Sequence, residues 1–152
     1  MNTAGIVCGV VLLRDDGAAL LQWRDDRPDI QDPGIWVFPG GHAESGETAE
    51  AAARRELQEE TCYQCSDLRL LASYPATALG HAESFELVFF WGRFDGRQEI
   101  RCCEGQAVRF IRRDAVHLLP TRDYLPRFWD QALAAAGLHA PMPKGDSETK
   151  TP

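Results

Sequence analysis

Arg55, Glu56, Glu59 and Glu60 lie within six consecutive residues, with Glu47 upstream and Pro39-Gly40-Gly41 ahead of them all. Clustered carboxylates repel one another and take up protons unless something favours their ionised forms. A hard cation with oxygen ligands does so. Magnesium suits the set best, because it accepts a few carboxylates, keeps several waters and takes its remaining ligands from a substrate phosphate. An isolated E-x-x-E-E more often marks a solvated helix face. The glycine turn, Glu47 and Arg55 beside it favour a site for metal-assisted chemistry on phosphate instead.

These residues need a helix to gather them. Ser45-Gly46-Glu47-Thr48 reads as its start, with polar side chains to cap free amides and Glu47 near the positive end of the dipole. Ala49 to Glu60 is built from Ala, Arg, Glu, Leu and Gln, all strong helix formers. At about 100° per residue, Glu56, Glu59 and Glu60 fall within an arc of roughly 100°. Ala49, Ala53 and Leu57, spaced by four, form the opposite, packed stripe. Arg55 stands one turn before Glu59 and can orient it.

Around the helix the pattern is one of strands. Residues 4–13 and 18–24 read as a hairpin closed by Asp15-Asp16-Gly17. A polar loop, 25–34, leads to the short strand 35–38 and the glycine turn. Residues 68–78, 84–94 and 107–111 read as further strands. In the second of these, Phe85, Leu87, Phe89 and Trp91 alternate, which places Glu86 on the other face. Tyr124 to Ala136 reads as a second helix, with Leu125, Phe128, Trp129 and Leu133 on one face and Gly137 as its stop. The order of elements predicts an α/β fold, a mixed sheet between helices. The domain spans 1–139, and the polar segment 140–152 reads as a disordered tail.

Composition narrows the partners. The 152 residues carry a net charge of −7, which argues against a general nucleic-acid or anionic-membrane surface. The apolar run 4–13 has neither a basic n-region nor a cleavage site, and no stretch is long enough to span a bilayer. The chain reads as cytoplasmic. Its five cysteines read as reduced thiols. A zinc site from Cys62, Cys65, Cys102 and Cys103 is disfavoured by the adjacent Cys102-Cys103 pair.

The run from Gly41 through Glu47 to Arg55-Glu56-Leu57-Gln58-Glu59-Glu60-Thr61-Cys62-Tyr63 resembles the Nudix box, G-x5-E-x7-R-E-U-x-E-E-x-G-U with U apolar. It departs only at Cys62, where the pattern has glycine. That position lies just past the helix end, where a left-handed backbone would cost cysteine on the order of 1 kcal/mol. The resemblance covers roughly residues 4 to 136 and implies the Nudix α/β/α sandwich with its loop-helix-loop catalytic motif. It further implies Mg2+, with Mn2+ as a substitute, bound by Glu56, Glu59, Glu60 and the Gly40 carbonyl. Arg55 would orient Glu59, with Glu47 supporting Arg55.

Cys103-Glu104-Gly105-Gln106 resembles an E-G-Q segment of Nudix enzymes that cleanse oxidised guanine nucleotides, which makes Glu104 a fourth carboxylate. Glu59 and Glu104 are the two candidates for the general base. In the same branch an arginine at the place of Arg24 helps hold the purine, and Arg27 on the adjacent loop could play that part. The asparagine which that branch carries before its last helix is missing here; Asp123 could contact a base edge, and Tyr124 could stack on one or pack the core. Trp36 and Phe38 read as core residues, and His81, His117 and His139 show no ligand spacing. The expected reaction is hydrolysis of the pyrophosphate bond in a nucleoside diphosphate linked to X, first a nucleoside triphosphate giving NMP and pyrophosphate. Nucleotide sugars or ADP-ribose are the alternative substrates, and a non-catalytic nucleotide-binding regulator the alternative role. The partner is thus a small nucleotide, and a homodimer is an option because dimers are common in the family.

Overall fold

The run Gly5–Leu13 forms the first strand, β1, and its last residues show why the sheet must be covered twice. Val10, Val11, Leu12 and Leu13 are each 0% exposed. Successive strand side chains point to opposite faces, so such a run needs packing on both. In the computed structural model, which describes residues 5–141, helices provide it. Val11 and Leu13 pack with Leu125, Phe128, Trp129 and Leu133 of α2 (Leu125–Ala136). Val10 and Leu12 pack with Ala52, Ala53 and Leu57 of α1 (Ala49–Thr61). The result is the expected α/β/α sandwich. Both layers show the helical spacing expected of them, although Ala52 rather than Ala49 completes the buried stripe of α1.

The sheet is mixed. β1 runs parallel to β6 (Phe85–Arg93), from Gly5 opposite Phe85 to Leu13 opposite Arg93. β5 (Arg69–Pro75) pairs antiparallel on the far side of β6. On its other edge β1 meets β2 (Ala19–Trp23) through the hairpin, with Leu13 opposite Ala19. β2 carries β3 (Trp36–Val37) and β7 (Ala107–Ile111), both antiparallel. The glycine segment expected as a turn is itself a short strand, β4 (Gly40–His42), laid antiparallel on β1 with Gly9 opposite Gly40.

Two further boundaries differ from expectation. The strand expected over 68–78 stops at Pro75, which lacks an amide hydrogen, and Ala76–Leu79 is a 3-10 turn. Arg113–Leu118, which carries no strong periodicity, forms a second 3-10 segment. From residue 142 the expected tail lies outside the described residues, while Ala140 packs against the α2 core. No helix among the described residues is long and apolar enough to cross a membrane.

Candidate active site

Thr48 starts α1, its hydroxyl accepting from the Ala51 amide at 3.1 Å. This fixes the helix so that Arg55 faces β4, and Arg55 becomes the hub of the box. Its Nε and Nη2 donate to Glu47 at 2.8 and 2.9 Å, and Nη2 also donates to the His42 carbonyl at 3.0 Å. Nη1 donates to Glu56 at 3.1 Å and to Glu59 at 3.2 Å. The guanidinium, aided by the Glu44 amide, holds Glu47 at about 2. Glu47 therefore stays ionised and anchors Arg55, which in turn orients Glu56 and Glu59.

Glu60 is the buried member, 2% exposed, accepting from the Gly40 amide at 2.9 Å. Loss of solvent pushes it up to about 8, with the negative charge of Glu56 and Glu104 adding to the rise and the Gly40 bond opposing it. Glu56 is raised as well, first by desolvation, against the pull of Arg55. The glycines make room. A Cβ on Gly41 would sit 2.5 Å from the Glu56 carboxyl carbon, and one on Gly40 only 1.8 Å from the Cys8 carbonyl oxygen.

Glu104 arrives from a distant segment. The loop before β7 is laced to the end of α1: the amides of Arg101 and Cys103 donate to the carbonyls of Thr61 and Glu60 at 3.0 and 2.9 Å. Gln22 donates to the Glu104 carbonyl at 3.2 Å. The loop thus brings Glu104 into electrostatic range of Glu56 and Glu60.

The donor set suits a hard divalent cation, since it consists of carboxylates, one buried against its own ionisation and another raised. In the geometry shown, Arg55 holds Glu56 and Glu59 while the Gly40 amide holds Glu60. No three acidic, cysteine or histidine groups among the described residues converge on one point. Cys65 is buried and donates to Asp67, whereas Cys102 turns towards the carbonyls of Glu104 and Gly105.

Beside the carboxylates opens a cavity of about 330 Å3, running from Gly40 and Gly41 past Phe38 and Phe89 to Tyr124. Trp36 and Phe38 are core residues, each 7% exposed, yet both also line this cavity. Arg24 lines it too, its Nε donating to the Gln31 carbonyl at 2.7 Å. Arg27 stands apart, paired with Asp29, on a smaller cavity of about 210 Å3 shared with Arg24 and Glu104.

Asp123 does not fit the part expected of it. It is exposed and lines neither cavity, because the turn into α2 points Arg122 and Tyr124 inward and Asp123 out. The carboxylate in the cavity wall is Asp32, whose Oδ1 accepts from Arg122 Nε and Nη2 at 3.1 and 2.6 Å. Beside it runs a chain of polar groups, with Gln31 Nε2 3.4 Å from His81 Nδ1 and His81 Nε2 2.7 Å from the Tyr124 hydroxyl. Burial lowers His81, favouring the neutral ring, and raises Tyr124 to about 12. Sequence reading assigned nothing to Gln31, Asp32, His81 or Arg122. The bonds between their side chains span 43 to 90 residues of the chain, and no local pattern joins them.

A NUDIX domain model matches residues 4–130, most of the chain. The chain belongs to the Nudix hydrolase superfamily. The nucleoside triphosphatase NudI of Escherichia coli is 48% identical over 61 residues, 40% of each chain. The match thus spans less than half of that curated relative. Among solved structures, the NUDIX domain of Shewanella oneidensis NrtR, complexed with ADP ribose, superposes with a TM-score of 0.75 at 17% identity over 90% of each chain. The MutT NUDIX hydrolase of Burkholderia pseudomallei gives 0.68 at 23% identity, over 86% of this chain and 98% of that one. At those identities the two structures speak to the fold.

The remaining departure from the Nudix box is now explained in geometry. Cys62 caps α1 in the left-handed region at φ 65 and ψ 11, its amide donating to the Gln58 carbonyl. The loop keeps the backbone that glycine would adopt, at a cost on the order of 1 kcal/mol.

Proposed function

We propose that this Nudix chain hydrolyses the pyrophosphate bond of nucleoside triphosphates, releasing a nucleoside monophosphate and pyrophosphate. The observation that carries the reading is an apolar, aromatic-walled cavity of about 330 Å3 that reaches Gly40 and Gly41, the glycines against which Glu60 and Glu56 stand. Pockets of this kind hold a flat organic group by its faces and orient it with a few polar contacts. The similarity to NudI, which bears the name nucleoside triphosphatase, supports the same choice.

Glu56, Glu59, Glu60, Glu104 and the Gly40 carbonyl would hold Mg2+, or Mn2+ in its place. When bound, the ion supplies charge neutralisation on the phosphoryl oxygens and a more acidic water. The protein's own residues do the rest. Glu47 fixes Arg55, and Arg55 holds Glu59 at hydrogen-bond distance. A carboxylate, Glu59 or Glu104, takes the proton of the attacking water. Arg24, at the cavity wall, would meet the base or a phosphate, and Arg27 shares the smaller cavity with Glu104.

The test is chromatographic product analysis of a nucleotide panel with magnesium, run beside a Glu59→Gln variant. The panel holds canonical and oxidised nucleoside triphosphates, ADP-ribose and nucleotide sugars. Triphosphates should yield monophosphate and pyrophosphate, with turnover lost in the variant. Turnover confined to ADP-ribose or nucleotide sugars would overturn the substrate class. Nucleotide binding without any turnover would replace the enzyme by a regulator.

A further inference from the structure

Cys62 occupies the end of the carboxylate helix and Cys103 immediately precedes Glu104. Forty-one positions apart in sequence, their sulfurs lie 2.8 Å from each other. A disulfide places its sulfurs about 2.05 Å apart, so the backbone already presents the two side chains face to face. Both residues are exposed. The other thiols are not so placed: Cys8 and Cys65 are buried and raised to about 11, and Cys102 turns to nearby carbonyls. Cys62 also holds a left-handed position where the box pattern has glycine, at a cost in backbone strain.

We infer that Cys62 and Cys103 form a dithiol site, which a low-molecular-weight disulfide converts into a cross-link tethering the Glu104 loop to the carboxylate helix. The reaction balances as two exchanges. One protein thiolate attacks a sulfur of RSSR, forming a mixed disulfide and expelling RS−. The second thiolate attacks the protein-bound sulfur, forms the Cys62–Cys103 bond and expels the other RS−. Two electrons pass from the protein to the reagent, and the two thiol protons end on two RSH.

The tether joins segments that already share the bonds from the Arg101 and Cys103 amides to the helix-end carbonyls. Its consequence rests on the proposed role of Glu104. A loop fixed in advance has less freedom to lose when its carboxylate closes on an ion, so the oxidised protein binds a divalent cation more tightly.

Full-length protein is equilibrated with oxidised glutathione, the remaining thiols are alkylated, and peptides are mapped by mass spectrometry. Tm and Mn2+ affinity are measured on oxidised and reduced samples, with Cys62→Gly and Cys103→Ser alongside. A dithiothreitol-reversible link between the Cys62 and Cys103 peptides is expected, with Tm higher on the order of 5–10 °C. Mn2+ should bind roughly two- to tenfold more tightly after oxidation. Either variant should show none of these changes. Five alkylatable thiols, a link through Cys102, a lower Tm on oxidation, or Mn2+ affinity that oxidation leaves unchanged would each overturn the inference. A link that forms in protein unable to bind Mn2+ in either state would instead keep the dithiol and sink the metal reading.

Discussion

The box helix and the cavity beside it are built by opposite strategies. In the box, Arg55 reaches Glu56, Glu59 and Glu47 at separations of one, four and eight residues. In the cavity wall, Gln31 reaches His81 across 50 residues, His81 reaches Tyr124 across 43, and Arg122 reaches Asp32 across 90. One region is a local device that the helical repeat assembles almost unaided. The other exists only once the sheet has closed. Chemistry common to a family belongs naturally to the first, and the choice of substrate to the second. Changes in the box should therefore strike turnover, and changes in the cavity wall should strike binding.

The sharpest break in that division comes from Glu59→Gln. Its carboxylate is half exposed and, among the described residues, held only by Arg55, so the fold should be indifferent to the change. If it is the general base, kcat falls by roughly 10^2- to 10^4-fold with Tm unchanged. A kcat within a few-fold of wild type passes the role to Glu104.

Next in size is a stability effect confined to the box. Glu60 has an ordinary value of 4.5 and is raised to about 8 by burial. Between those values the unfolded chain has released the proton that the folded chain keeps. Its contribution to stability is complete below pH 4.5 and is lost as pH rises towards 8, by up to a few kcal/mol without metal. Glu56, raised in the same direction, adds to the slope. Glu47, held at about 2, acts with opposite sign and only below 4.5, outside this window. Urea titrations in chelator from pH 5 to 8 should show the decline, and Glu60→Gln should flatten it. Added Mn2+ should stabilise more at pH 8 than at pH 5, because it favours the ionised carboxylate. A pH-independent midpoint would mean that Glu60 is solvated in solution.

Arg55→Lys tests whether the box acts through geometry. Lysine keeps the charge but cannot span Glu47 and Glu59 with a planar fork. A loss of about 10- to 100-fold in kcat, with nucleotide KM little changed, is expected of a residue that positions others. Full activity with lysine would reduce Arg55 to a counter-charge.

The same contrast explains what could be read from sequence. Arg55, Glu56, Glu59 and Glu60 could be placed on one face because helical periodicity fixes their relative directions, whereas Glu47 precedes the cap Thr48 and its support of Arg55 came from the resemblance. Both helices and the hairpin were legible for the same reason, apolar spacing matching a repeat. Glu104 was reached by resemblance alone, since no periodicity links it to α1. Asp123 was misassigned because a turn obeys no repeat, and one step along it exchanges inward for outward. His81 gave no sign at all: its neighbours in sequence are not its neighbours in the cavity. The strand expected to reach residue 78 overran because the apolar run continues through Ala76 even though Pro75 ends the pairing.

Tyr124→Phe makes the smallest change and asks the most specific question. The ring stays, still packed on Phe89 and Phe128, so the cavity keeps its shape. What disappears is the hydroxyl bonded to His81 at 2.7 Å. If the Gln31–His81–Tyr124 chain orients the bound base, its loss removes a contact made equally in the ground and transition states. KM should then rise about threefold to tenfold, the equivalent of one net hydrogen bond, with kcat preserved. Discrimination among bases should weaken along with it, because a neutral imidazole freed from Tyr124 can turn either nitrogen to the ligand. A change in kcat instead of KM would mean that the wall also aligns the phosphates, and the boundary between the two regions would have to be redrawn through Tyr124.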